Sequence, residues 1–171
     1  MQPSFTPTVE RLARRLFPGQ LATKFVPPQP YEHETFTLEG QELRILEQGH
    51  TDSADTTSLY VPSIGLVVAG DVVYNQCHMY VGDTTPESRK NWIAALDRLA
   101  ALKPAVVVAG HKKPGAADSP SAIQDTKRYL LDFDRLKQTT TSDEELFNQM
   151  TELYPHCEAN QSWLMFGFPG A

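Results

Sequence analysis

Three residues that can bind a metal ion each follow a glycine directly: His50, Asp71 and His111. The last two also follow apolar runs, VVAG and VVVAG, that are typical of buried strands. A buried strand supplies a rigid base, and glycine lets the backbone turn so that the next side chain points into a cleft at the strand's end. Imidazole and carboxylate groups together suit zinc, or iron and manganese where oxygen ligands dominate. The pattern predicts that the three side chains meet at one metal site.

Each of these residues has a simpler interpretation when it is taken alone. A single histidine after a strand is more often a hydrogen-bonded core or turn residue than a ligand, and aspartate after glycine is common in turns. The ordered combination of two strand-glycine-ligand units with a Gly-His-Thr loop favours a common metal-binding origin.

Other polar residues near these segments are weaker candidates. Tyr74 is a candidate donor to a substrate oxyanion, and His78 is a candidate substrate contact or substitute ligand, although a partly exposed loop histidine is the simpler interpretation of His78. Asp52 and Asp55 lie in the loop that carries the first histidine. We expect them to orient that loop through hydrogen bonds rather than to bind metal.

The elements that must position these residues follow from periodicity and from capping signals. A Gly-containing turn between two alternating runs predicts a β-hairpin, and Ser142-x-x-Glu145 predicts a capping box at the start of the last helix. The two longest apolar runs predict strands that are buried on both faces. The expected elements are a helix over 8–17, an extended connector over 25–30, the hairpin over 35–47, strands over 58–61, 64–69 and 105–109, and helices over 85–102, over 119–136 and from 142.

Composition limits the class of protein. The chain has 171 residues, of which 40% are hydrophobic, and a formal net charge of −6, so a nucleic-acid or membrane partner is not expected. Two widely separated cysteines indicate a reducing compartment rather than a disulfide framework. No segment has the length and apolarity of a signal peptide or a membrane span, so we expect a cytoplasmic protein. The expected partner is a small-molecule substrate.

Three motifs resemble those of one known family. GHTDSADTTSLYVP is similar to the third conserved motif of the metallo-β-lactamase superfamily, AGDVVY to the fourth and AGHKKPG to the fifth. The resemblance covers roughly residues 36–131. It implies that His50 binds one metal ion, that Asp71 bridges two ions and holds the catalytic nucleophile, and that His111 binds the second ion. It also implies an αββα sandwich, zinc as the usual metal, and a metal-activated water as the nucleophile.

One part of the family pattern is missing. The second motif, His-x-His-x-Asp-His, supplies most of the remaining ligands in the family, and this sequence contains no such string. We therefore expect an α/β fold that is half of an αββα sandwich, a single partial domain over 1–171 with C-terminal helices from about 119. Such a half-domain has three possible origins: a truncated gene model, a shortened paralogue or one part of a split protein. A half-sandwich would expose one apolar sheet face, through which a homodimer could form.

Three functions are consistent with the sequence. The first is a metal-dependent hydrolase that acts on an ester, a thioester, a lactone or an amide. The second is a non-catalytic remnant with a structural or interaction role. The third is a metal-free isomerase or lyase that reuses the same pocket. The presence of all three ligand-type residues favours the first, in a degenerate form in which the metal content is partial or lost because half of the metal ligands are absent.

Overall fold

The structure is a computed structural model that describes residues 11, 14–15, 17–22 and 29–158. The chain divides into two compact units, 1–33 and 34–171. In the first unit, Arg11, Arg14 and Arg15 are helical. Most of the helix predicted over 8–17 and most of the connector predicted over 25–30 lie outside the described residues.

The described part of the second unit contains one five-stranded sheet and three α-helices. The strands lie in the order β1-β2-β3-β4-β5, and every neighbouring pair is antiparallel except the parallel pair β4 and β5. None of the described helices is both long and apolar enough to cross a bilayer. In chain order the elements are β1 (Thr35–Leu38), β2 (Gln41–Gly49), β3 (Thr56–Val61), a short 3-10 helix (Pro62–Ile64), β4 (Leu66–Asn75), α1 (Pro86–Ala101), β5 (Val106–Lys112), α2 (Ser121–Lys137) and α3 (Asp143–Leu153).

The predicted β-hairpin is confirmed. Leu38 pairs with Gln41 across a two-residue turn, in which Glu39 has φ 48° and Gly40 has φ 80°. Two successive positive φ values are the geometry that matches the twist of the flanking strands.

The predicted helix starts are also confirmed, with one difference at the last helix. Thr85 caps α1, where its hydroxyl accepts from the Ser88 amide. Ser142 caps α3 in the same way through the Glu145 amide. The Glu145 carboxylate, however, accepts from the Thr141 amide at 2.8 Å, so the predicted capping box forms one residue out of register.

Strands β4 and β5 are longer than the apolar runs suggested. Asp71 and His111 lie inside these strands rather than beyond their ends, so the prediction that the strands end at glycine is wrong. Gly70 has φ 58° and lies where the register between β4 and β5 shifts. This irregularity lets pairing resume beyond the glycine, and the strand continues to Asn75.

The core lies on one face of the sheet. Val67, Ala69 and Val107 are fully or almost fully buried in one cluster with apolar residues of all three helices. Their neighbours Val68 and Val106 are 38% and 37% exposed. The prediction that these strands are buried on both faces is therefore wrong, because alternate residues point to opposite faces and the described helices cover only one. The observed fold is the expected half-sandwich.

This difference between faces predicts different responses to the same substitution. Val67→Thr places a hydroxyl in the core and is expected to lower the free energy of unfolding by about 1–3 kcal/mol. Val68→Thr, one residue along the same strand, is expected to change it by less than about 0.5 kcal/mol. Urea unfolding followed by circular dichroism measures both. Equal losses at the two positions would mean that the second face is packed as well.

Candidate metal centre

Among the described residues, one group of potential metal ligands converges: Asp52, Asp71 and His111. One ligand atom from each residue lies within 4.8 Å of the other two. Asp52 belongs to the loop between β2 and β3, and the other two residues belong to β4 and β5. Residues from three parts of the chain therefore meet, because the loop that carries Asp52 leads into β3, β3 neighbours β4, and β4 neighbours β5.

The contact between Asp71 and His111 has the spacing of two ligands on one ion. Asp71 Oδ1 lies 3.2 Å from His111 Nε2. Two ligands at 2.0–2.2 Å from one tetrahedral zinc ion lie roughly 3.3 Å apart. The two side chains are 46% and 28% exposed, respectively, so solvent reaches this part of the group.

Asp52 is held more tightly than the other two. It is buried, its Oδ2 accepts a 2.8 Å hydrogen bond from the Tyr74 hydroxyl, and its Oδ1 accepts from Ser53 Oγ at 3.2 Å. The Tyr74 ring also packs against the His111 ring, with 4.9 Å between centroids and 32° between planes. Tyr74 therefore contacts two members of the group.

The electrostatics of the group favour a bound cation. Burial raises the pKa of Asp52 above its ordinary value; the Tyr74 hydrogen bond opposes this rise, and the negative charge of Asp71 adds to it. Burial, together with the Asp52 carboxylate, raises the pKa of Tyr74 far above its ordinary value, so its hydroxyl stays protonated and donates at neutral pH. A cation placed between the two carboxylates would offset their repulsion.

The two glycines before the ligands have different roles. Gly70 takes a positive φ that residues with side chains rarely adopt, at the point where the register between β4 and β5 shifts. Gly110 does not, and it is needed for space instead. A Cβ at Gly110 would collide with Asp71 Oδ1 and would lie 2.6 Å and 2.7 Å from the carbonyl carbon and oxygen of Gly70. The absence of a side chain at Gly110 thus lets the two strands approach at the site.

His50, which the resemblance assigns as a ligand, is not a member of the converging group. Its Nε2 lies 3.0 Å from the carbonyl oxygen of Asp83. Its role as a ligand stays a prediction. Asp52, which was expected only to orient the loop, takes the third position. The spacing of residues in the sequence does not indicate that Asp52 joins the group, because its position depends on a hydrogen bond from Tyr74, which is 22 residues further along the chain.

The two candidate substrate contacts are both buried, so the interpretation of His78 as a partly exposed loop residue is wrong. The Tyr74 hydroxyl is bonded to Asp52. His78 is fully buried, its Nδ1 lies 2.9 Å from the Tyr129 hydroxyl, and its Nε2 has no hydrogen-bond partner among the described residues. Burial, with a further contribution from His156, lowers the pKa of His78 to about 4. Contact of either residue with a substrate stays a prediction.

Comparison with known proteins shows the family of this chain. The family model of the metallo-beta-lactamase superfamily matches residues 4–111, and the chain belongs to that superfamily. The chain is similar to a metallo-beta-lactamase from Pontibacter korlensis (23% identity, TM-score 0.53, 74% of this chain and 56% of that one). It is also similar to a metallo-beta-lactamase family protein from Thermus thermophilus (24% identity, TM-score 0.55, 82% and 49%). The chain thus spans about half the length of these two structures. A search of curated proteins found no match.

The close approach of the strands can be tested at Gly110. Gly110→Ala is expected to destabilise the fold by about 3 kcal/mol, because the new Cβ overlaps the backbone of Gly70 and the Asp71 carboxylate. Gly115→Ala is the control, since Gly115 has φ 83° and no atom within 4 Å of an added Cβ. It should cost only about 1 kcal/mol of backbone strain. If chemical denaturation shows similar losses of unfolding free energy in the two variants, the space around Gly110 does not limit the approach of the strands.

The buried histidine gives a pH dependence. His78 has a pKa of about 4 in the folded protein and an ordinary value of 6.5, so the unfolded chain binds its proton first. Its contribution to stability is complete above about pH 6.5 and is lost as the pH falls towards 4. Between pH 7 and 4.5 the free energy of unfolding of the native protein should fall by about 2–3 kcal/mol more than that of the His78→Asn variant. Asparagine is chosen because it retains a polar atom near the position of Nδ1. Urea unfolding at both pH values measures this, and parallel pH profiles would rule it out.

Proposed function

We propose that this protein is a metal-dependent hydrolase acting on an ester, a thioester, a lactone or an amide. The observation that carries the proposal is the convergence of Asp52, Asp71 and His111 in a chain that belongs to the metallo-beta-lactamase superfamily. Two carboxylates and one imidazole fit zinc, and also iron or manganese, which accept oxygen-rich ligand sets.

The three residues of the group differ in solvent exposure, and their proposed roles differ accordingly. A metal ion held there would polarise a substrate carbonyl and activate a water molecule. Asp71 has the more exposed carboxylate, so it can accept a hydrogen bond from the attacking water and orient it. His111 is held between Asp71 and the Tyr74 ring, which fixes the direction of its imidazole. Asp52 is buried behind them and contributes negative charge.

A non-catalytic role is the second candidate. It is favoured by the position of His50 outside the group and by the exposure of Val68 and Val106 on the open sheet face. A metal-free isomerase or lyase is a third possibility, in which the same carboxylates would transfer protons without a cation. These alternatives differ from the hydrolase in one measurable property, which is the requirement for metal.

The proposal is tested by metal content and by hydrolysis. Protein purified without chelators should contain zinc, iron or manganese and should hydrolyse at least one member of a panel of esters, thioesters, lactones and amides. Chelation should abolish the activity and added Zn²⁺ should restore it. Asp71→Asn should lower kcat at least about 100-fold, because a carboxylate that both binds the metal ion and orients the water is lost.

Asp55→Asn is the matched control for this substitution. Asp55 is exposed in the loop after β2 and has φ 58°, which asparagine adopts readily. This variant should retain full activity. Metal-free protein whose melting temperature does not respond to added Zn²⁺, Mn²⁺ or Fe²⁺ would contradict the hydrolase proposal and support a non-catalytic role.

A further inference from the structure

We infer that this chain binds a single metal ion through Asp52, Asp71 and His111, and that Tyr74 is the positioning residue that presents Asp52 to it. The inference rests on the proposed function and specifies its ligand set. It differs from the two-ion arrangement implied by the resemblance, in which the loop between β2 and β3 contributes His50.

One ion can reach all three ligand atoms. Three atoms that lie within 4.8 Å of one another are all within about 2.8 Å of a common point. Zinc bonds to oxygen and nitrogen are about 2.0–2.2 Å long, so displacements of less than about 1 Å complete the coordination. Three protein ligands with a fourth position left to water are the arrangement of catalytic zinc sites, whereas structural sites use four protein ligands.

His50 is engaged elsewhere. The Asp83 carbonyl oxygen, 3.0 Å from His50 Nε2, can only accept a hydrogen bond. Nε2 therefore carries the proton in this contact, and binding a metal through that atom would require both the proton and the hydrogen bond to be lost. Asp52 needs no such change, because its carboxylate oxygens each have two lone pairs and the Ser53 and Tyr74 contacts use one on each.

Asp52 is supported by a continuous set of contacts from the core. Thr126 of α2 contacts the Tyr74 backbone on both sides: its hydroxyl oxygen accepts a hydrogen bond from the Tyr74 amide at 3.1 Å, and its single proton is shared between the carbonyl oxygens of Tyr74 at 2.9 Å and Ala122 at 2.7 Å. The Tyr74 hydroxyl then donates to Asp52. Outer contacts of this kind fix the orientation of metal ligands, and their loss typically weakens metal binding 10–100-fold. Tyr74 also packs against the His111 ring, so one side chain orients two ligands.

The test is Zn²⁺ binding to the full chain, measured by competition with a chromophoric chelator. The native protein should bind one Zn²⁺ per chain. Asp52→Asn should weaken binding at least about 100-fold, and Tyr74→Phe about 10–100-fold, because the phenyl ring keeps the packing and loses only the hydroxyl. His50→Gln, whose amide can still donate to Asp83, and Asp55→Asn should each change affinity less than about threefold.

Co²⁺ provides a readout that a general loss of stability would not change. In Tyr74→Phe the visible absorption of bound Co²⁺ should change in position or intensity while the melting temperature of the metal-free protein stays near the native value. Asp52→Glu, which keeps a carboxylate at the site on a longer side chain, should bind Zn²⁺ measurably but more weakly than the native protein. Because both variants are compared with the native protein, they decide the question even where Asp52→Asn does not fold.

The outcomes separate this inference from the proposed function. A native chain that binds Zn²⁺ with two ions per chain, or that loses binding in His50→Gln and not in Asp52→Asn, overturns the ligand set proposed here and leaves the hydrolase standing. A native chain that binds none of the added metals overturns both.

Discussion

The close contact between β4 and β5 is the constraint on which the site depends. The two strands run parallel, and at Gly110 their separation leaves no room for a side chain because Asp71 and the Gly70 backbone occupy that space. The contact places a carboxylate from one strand 3.2 Å from an imidazole on the other. The same strands contribute Val67, Ala69 and Val107 to the core. Packing of the core and assembly of the site are therefore consequences of the same strand pairing.

Tyr74 links these two regions. Its backbone is bonded to α2, its hydroxyl to a loop aspartate and its ring to His111, while it also packs near Trp92 of α1. Because Tyr74 contacts two helices, the loop and the neighbouring strand, its packing in the core holds the polar groups of the site in defined positions. Asp71, by contrast, is the most exposed member of the group. The centre thus combines a buried carboxylate and an imidazole that both contact Tyr74 with one carboxylate that faces solvent.

The sequence was sufficient for most of the fold and for part of the site. Turn chemistry at Gly40 and the capping residues Thr85 and Ser142 located the hairpin and two helix starts, since these signals act between near neighbours in the chain. Strand ends were misplaced because apolar runs report burial, and β4 continues through a polar residue at Asp71. The position of Asp52 beside Asp71 and His111 could not be predicted, because it depends on a contact with a tyrosine far along the chain that no local pattern encodes.

The strand order has a consequence for how copies of this protein can meet. One edge of the sheet is β1, which is only four residues long, and the other is β5, where the Val107 amide is bonded to the Asp118 carbonyl of the following loop. A short edge offers few free backbone groups for an incoming strand, and the Val107 contact removes one from the β5 edge. Among the described strands, growth of the sheet from molecule to molecule is thereby disfavoured most at β1.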